Sequence, residues 1–292
     1  VSPVFKAHTA LFLAALIYGG NYTIAKEVLD NEHIQPFGFI LMRVICGMVL
    51  FSLLHLLFIR EKIEGRDIGL FLLCGFFGVA INQLLFFKGL KMTTHIHAAL
   101  IMTTTPILVL IASAILLKEQ ITSKKMLGIA LGAVGAVILI IYGKKFAYKK
   151  EGMFGDVFIF INATSYGIYL VLVKKLMRKY HPLTVIKWVF TIGFFFVGPL
   201  ASRELMNVQW NTFTPGIWLA VAYVLFFTTF LTYLFNAYAL KIVNPSVVSI
   251  YIYLQPLLAT AIALFFVKDE LTLTKLGAGL FIFAGVYFVS KR

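Results

Sequence analysis

The sequence is short of acids, shorter of cysteine, and has no stretch polar enough to fold as a domain in water. Twelve Asp and Glu face 26 Lys and Arg in 292 residues, and every one of the twelve falls at an end of an apolar run or between runs. No carboxylate occupies the middle third of a run. Ion-driven carriers often couple through such a group, so its absence speaks against that coupling and excludes intramembrane aspartyl catalysis. The two cysteines, Cys46 and Cys74, lie inside apolar runs; they make no disulfide framework and no metal-ligand spacing. There is no H-E-x-x-H and no G-x-S-x-G elbow. The residues therefore call for no metal, no cofactor and no catalytic group. The net charge of +14 is not a nucleic-acid footprint, because no basic cluster shares a face with stacking aromatics.

What is present is lipid-soluble. Hydrophobic residues make up 61% of the chain and the mean hydropathy is +0.93, against about 45–50% apolar in a soluble domain. A hydrocarbon core of about 30 Å needs roughly 20 helical residues. Ten runs qualify: 8–28, 36–59, 67–88, 95–117, 124–142, 153–176, 182–201, 215–240, 245–267 and 274–290. The first is too long for a signal-peptide core and lacks a cleavage site, so it reads as a retained helix.

One stretch occurs twice. Leu100–Thr122, LIMTTTPILVLIASAILLKEQIT, matches Ile250–Thr272, IYIYLQPLLATAIALFFVKDELT, at an offset of 150 positions. Pro106 pairs with Pro256, Lys118 with Lys268, Glu119 with Asp269, and Thr122 with Thr272. The longest break, Gly143–Gly155 with four lysines, separates five runs from five. Five is odd, so the second half enters the membrane in the opposite sense and the repeat is expected to be inverted. The domain boundaries follow as 1–145 and 150–292. With both termini inside, the inner segments carry 14 Lys and Arg and the outer ones 10. That bias predicts cytoplasmic termini in a multi-pass protein of a bacterial inner membrane.

Ten helices as five plus five, a proline early in runs 4 and 9, an acid just after each, and Gly-rich runs 5 and 10 together resemble the drug/metabolite transporter superfamily. The nearest branch is the EamA-type ten-helix family, and the resemblance covers nearly the whole chain. It implies an all-α integral membrane fold of two inverted five-helix repeats around a central cavity. That cavity would be lined mainly by helices 1, 3, 4, 6, 8 and 9, with helices 4–5 and 9–10 as the scaffold or dimer side.

Polar residues inside a membrane are costly unless they face protein or a wet cavity. Helical spacing groups them on the same six runs: Tyr18 and Asn21 on run 1; Cys74, Gly78 and Asn82 on run 3, with Gln83 beside them; Thr103 and Pro106 on run 4; Asn162, Ser165, Tyr166 and Tyr169 on run 6; Thr228, Thr232 and Asn236 on run 8, with Tyr233 adjacent; Ser246, Ser249 and Tyr253 on run 9. Each is either cavity lining or interhelical glue. The expected substrate contacts are Tyr18, Asn21, Asn82, Thr103, Tyr166, Tyr169, Thr232, Asn236 and Tyr253. Pro106 and Pro256 each free a carbonyl, near Met102 and Ile252. Arg43 is a permanent charge about seven residues into run 2; it either snorkels outward or anchors a carboxylate, supplied by substrate or by Glu27 or Asp30. His97 reads as an interfacial histidine. Gly128, Gly132 and Gly135, with Gly277, Gly279 and Gly285, leave smooth surfaces for packing run 5 on run 10 or for a homodimer.

The function expected is a secondary transporter, working as an exporter of small metabolites such as amino acids or related zwitterionic or neutral amphiphiles. Its partners are that substrate and membrane lipid, with no nucleic acid. An intramembrane acyl or glycosyl transferase, or a carrier of drug-like amphiphiles, is the alternative. The enzyme would need a charged cluster at one interface, where the sequence offers only His95 and His97.

Overall fold

The computed structural model describes residues 2–30, 34–142, 152–266 and 272–291. The lysine-rich break and the pair Lys268–Asp269 lie outside the described residues, as do the side chains of Glu27 and Asp30. The described chain forms ten long helices and no strand: α1 (Pro3–Asp30), α2 (Pro36–Phe58), α3 (Gly65–Met92), α4 (Ile96–Leu117), α5 (Ser123–Ile141), α6 (Gly152–Met177), α7 (Pro182–Met206), α8 (Pro215–Ile242), α9 (Pro245–Leu264) and α10 (Leu273–Ser290). Among the described residues, α2 to α10 are long and apolar enough to cross a membrane, and α1 is 28 residues long. This is an all-helical membrane fold, with boundaries close to those the apolar runs predict.

Local chemistry sets the helix starts. Pro36, Pro182, Pro215 and Pro245 stand in first turns, where a missing N–H costs nothing. Thr94, Thr122, Thr214 and Thr272 each accept from the N–H three residues on, which satisfies one orphan donor of the helix. Glu204 does the same work from a distance: its Oε2 accepts from the N–H groups of Phe37 and Gly38 at 2.8 and 3.0 Å, tying the end of α7 to the start of α2.

Packing mixes the two halves of the sequence. α6 lies against α3 and α4, whereas α1 lies against α8 and α9. Between these two three-helix groups, α2 packs along α7 and α5 along α10. Glycine permits the last contact. A Cβ on Gly285 would stand 2.6 Å from the Gly128 carbonyl oxygen, and one on Gly135 would stand 2.5 Å from that of Ala278. Without a hydrophobic driving force in lipid, such close van der Waals approach is what holds helices together. Of the smooth faces expected on these helices, Gly128, Gly135 and Gly285 are thus in contact within one chain, whereas Gly277 has open space at its Cβ and Gly279 faces Leu257.

Four helices are irregular, at corresponding places. α3 contains a π-helical turn over Phe76–Ile81, and α8 one over Val224–Leu231. α4 breaks at Thr103–Thr104, between helical segments ending at Met102 and starting at Thr105. α9 tightens into a 3-10 turn at Tyr251–Tyr253. The two breaks fall just before Pro106 and Pro256, where proline is expected to free a carbonyl. At the end of α4, Lys118 adopts the left-handed conformation (φ 55°) while the Glu119 N–H reaches back to the Ser113 carbonyl at 3.1 Å. Glycine is the usual residue at such a C-terminal turn.

Two stability tests follow from this backbone. Gly285→Ala forces a methyl into the α5–α10 contact and should destabilise by about 1–3 kcal/mol, whereas Gly277→Ala, with open space at its Cβ, should be neutral or slightly stabilising. Lys118→Gly should raise stability by about 0.5–1 kcal/mol by relieving the left-handed strain. Thermal unfolding of the purified protein in detergent reads all three, and equal effects at Gly285 and Gly277 would contradict the packing account.

Candidate substrate site

The interior polar groups gather where the two three-helix groups meet. Tyr18 comes from α1, Tyr166 and Tyr169 from α6, and Tyr233 and Asn236 from α8; together with the apolar Leu170, Met177, Ala237 and Leu240 they line one cavity. The Tyr166 and Tyr169 rings lie 6.2 Å apart, and Gly78 on α3 makes room for Tyr169, whose ring would sit 2.3 Å from a Cβ there. The free volume is only about 20 Å³, enough for roughly one water. The cavity as it stands is too small for a metabolite.

Of the nine residues expected to contact substrate, Tyr18, Tyr166, Tyr169 and Asn236 line this cavity. Thr232 stands beside it, in contact with Tyr18, and Asn21 lies next to Thr228, one turn back along α8. The Thr232 hydroxyl is 3.2 Å from that of Tyr18, and Thr228 donates to Asn21 Oδ1 at 3.1 Å. Asn82, Thr103 and Tyr253 are placed elsewhere. Asn82 offers its carbonyl to the Asn162 amide. Tyr253 is 1% exposed and packed against Gly132, and its hydroxyl donates to the Thr103 carbonyl at 2.8 Å. These two residues, 150 positions apart, thus join the break in α4 to the tight turn in α9. Ser165 likewise donates to the Phe77 carbonyl at 2.6 Å, so Asn162 and Ser165 bracket the π-helical turn of α3 as interhelical glue.

The π-helical turns account for the residues that spacing alone misses. An extra residue in the turn advances the inward position by one. On α3 that position passes from Asn82 to Gln83, which is 5% exposed. The Gln83 amide lies close enough to act on the Tyr233 hydroxyl, yet neither amide atom has a hydrogen bond of ordinary geometry. Buried amides without partners are uncommon. On α8 the neighbours Thr228 and Thr229 are both buried. Thr229 donates to the Val224 carbonyl at 3.1 Å and accepts from Arg43 Nε at 2.9 Å.

Arg43 is accordingly turned into the bundle rather than out to the headgroups. It lies near enough to Tyr18 and Tyr233 to act on their hydroxyls electrostatically. Its two terminal amino groups hydrogen-bond to no described residue. A guanidinium held at Nε alone presents the fork that binds a carboxylate in bidentate fashion. Farther along α6, Asp156 accepts from Thr93 and stands 3.2 Å from His97 Nδ1, which joins the ends of α3, α4 and α6. Among the described residues no cluster of His, Cys, Asp and Glu could hold a metal ion.

The fold is that of an all-helical integral membrane protein with a small tyrosine-lined cavity between two helix groups. The EamA-like transporter family model matches residues 5–141 and again 153–291, and the chain belongs to that family. An uncharacterized transporter of Archaeoglobus fulgidus is 26% identical over 98% of both chains. The uncharacterized transporter YetK of Bacillus subtilis is 28% identical over 78% of this chain and 68% of its own. A protein of known crystal structure, 18% identical, covers 97% of both chains with a TM-score of 0.80, so the fold is shared.

Tyr253→Phe should lower stability by about 1–3 kcal/mol, because it leaves the Thr103 carbonyl without its buried donor. Thermal unfolding in detergent checks this; a variant of unchanged stability would show that the hydroxyl does not secure the α4 break.

Proposed function

We propose that this chain moves small carboxylate-bearing metabolites, amino acids or related zwitterions, across a bacterial inner membrane by alternating access. The two halves act as inverted five-helix repeats, both termini are cytoplasmic, and the direction is export. The observation that carries the substrate class is Arg43, a guanidinium fixed at Nε by Thr229, beside the tyrosine cavity, whose terminal amino groups bond to no described residue. A carboxylate would take the fork. The hydroxyls of Tyr18 and Tyr233 and the amides of Gln83 and Asn236 would take the ammonium and polar groups. Sugar nucleotides and phosphates, with two or more negative charges, would want more buried cations than one arginine supplies. The matching irregularities in α3 with α8, and in α4 with α9, support the paired halves, and the 14 to 10 distribution of Lys and Arg supports the orientation.

A thermal-shift series on the purified protein, comparing amino acids with their uncharged amides, tests the substrate class. The acids should stabilise in proportion to RT ln(1 + [L]/Kd) and the amides should not. Arg43→Met should weaken the effective acid by about 10- to 150-fold, the range for a hydrogen bond to a charged group. If amides bound as well as acids, or Arg43→Met bound normally, the carboxylate reading would fall. For orientation, a cysteine at Lys149 should react with impermeant reagent on intact cells and one at Lys175 should not; the reverse pattern would invert the topology.

A further inference from the structure

The cavity has a floor, and a buried cation holds it shut. Leu240 of α8 and Met177 of α6 close the cavity toward the end at which both helices terminate. One turn back from Met177, Lys174 is 5% exposed and its ammonium crosses from α6 to α8. It donates to the carbonyls of Leu240 (2.5 Å), Val243 (2.8 Å) and, more weakly, Lys241 (3.4 Å). All three of its protons are spent on the last turn of one helix, whose carbonyls carry the negative end of the helix dipole. The bond to the Leu240 carbonyl pins the residue whose side chain seals the floor. It also joins the α3–α4–α6 group to the α1–α8–α9 group at that end.

Opening the floor must pull these carbonyls away from the ammonium. A buried amine cannot be left unpaired at small cost, so a second seat is needed. Glu119 at the end of α4 supplies one. Its side chain is 6% exposed, Oε1 is paired with Lys125 Nζ at 2.9 Å, and Oε2 is buried without any hydrogen bond. The Glu119 carboxylate is within electrostatic reach of Lys174. It also lines a half-open polar pocket of about 290 Å³ with Gln120, Lys125, Arg178 and Asn244, the last two adjoining Met177 at the end of α6 and Val243 after α8. α4 and α6 belong to the same packing group, so Glu119 travels with Lys174 when that group moves away from α8.

We propose that Lys174 and Glu119 form a two-position latch: the ammonium rests on the α8 carbonyls when the floor is closed and passes to the free oxygen of Glu119 when it opens. The latch makes separation of the groups an exchange of partners rather than a loss of them. It requires no proton to move and no carboxylate at the membrane centre. The proposal rests on the alternating-access reading but not on the identity of the substrate.

The test measures access to the floor without substrate. Met177→Cys is introduced, and the rate of its modification by a small thiol reagent is read by mass spectrometry at that position. Lys174→Met removes the closed seat and should speed modification at least fivefold. Glu119→Gln removes the open seat and should slow it at least threefold. A purely structural role for either residue would loosen the fold and move both rates upward. Rates that change in the same direction, or do not change, in monodisperse protein overturn the latch. Should Lys174→Met fail to accumulate, Glu119→Gln decides alone: slower modification supports the latch, and unchanged or faster modification overturns it. Because no ligand is present, this outcome is independent of whether Arg43 binds a carboxylate.

Discussion

Every carbonyl that a membrane helix leaves open must find a donor inside the protein, because lipid offers none. That constraint governs the interior of this molecule. The π-helical turns of α3 and α8 and the break in α4 leave backbone oxygens that side chains approach. Ser165 and Asn162 serve α3, Thr229 and Thr232 serve α8, and Tyr253 serves α4. Tyr223 adds a bond to the Ile17 carbonyl of α1 at 3.0 Å. Many of these donors come from the opposite half of the sequence. Irregular backbone is thus the means by which the two halves are held in register around the cavity.

The same constraint sorts the interior polar residues by whether their donors are committed. Asn162, Ser165 and Tyr253 have their donors committed to carbonyls. Gln83 and the terminal nitrogens of Arg43 do not, and both lie beside the tyrosines. A polar group kept buried without a partner costs about 1–3 kcal/mol. Of these two, it is the Gln83 amide that is buried without a partner. Burial alone does not make this distinction, since Tyr253 is better buried than Tyr18; nor does an open hydrogen bond alone, since Thr105, Ser113, Thr184 and Ser246 are also buried without partners but line no part of the cavity.

Hydropathy read the helices well because membrane thickness fixes their length. It stopped α7 at residue 201, where Ser202, Arg203 and Glu204 turn polar, although the helix runs on to Met206. Glu204 is polar there because it caps α2, a tertiary reason invisible along the chain. The prolines announced the breaks in α4 and α9. Nothing announced the π-helical turns, whose sequences FFGVAI and VLFFTTFL look like ordinary apolar helix. Helical spacing therefore found Tyr18, Tyr166, Tyr169 and Asn236, but it chose Asn82 over Gln83, just past the turn where the phase slips by a residue. It placed Tyr253 on the right face and could not see that its hydroxyl meets Thr103.

The helix contacts of the bundle are of two kinds. The glycine contacts of α5 with α10 involve backbone against backbone and tolerate no gap; they suit a fixed seam. The contacts between α6 and α8 are of another sort: tyrosine rings across a nearly empty cavity, and one flexible lysine on a helix end. Rings slide on one another at low cost, and a four-carbon stem can carry its charge several ångströms. The rigid seam and the adjustable one lie in different layers of the same bundle. The cavity thus lies at the seam built from rings and one long side chain, and the close glycine packing of α5 on α10 lies outside its lining.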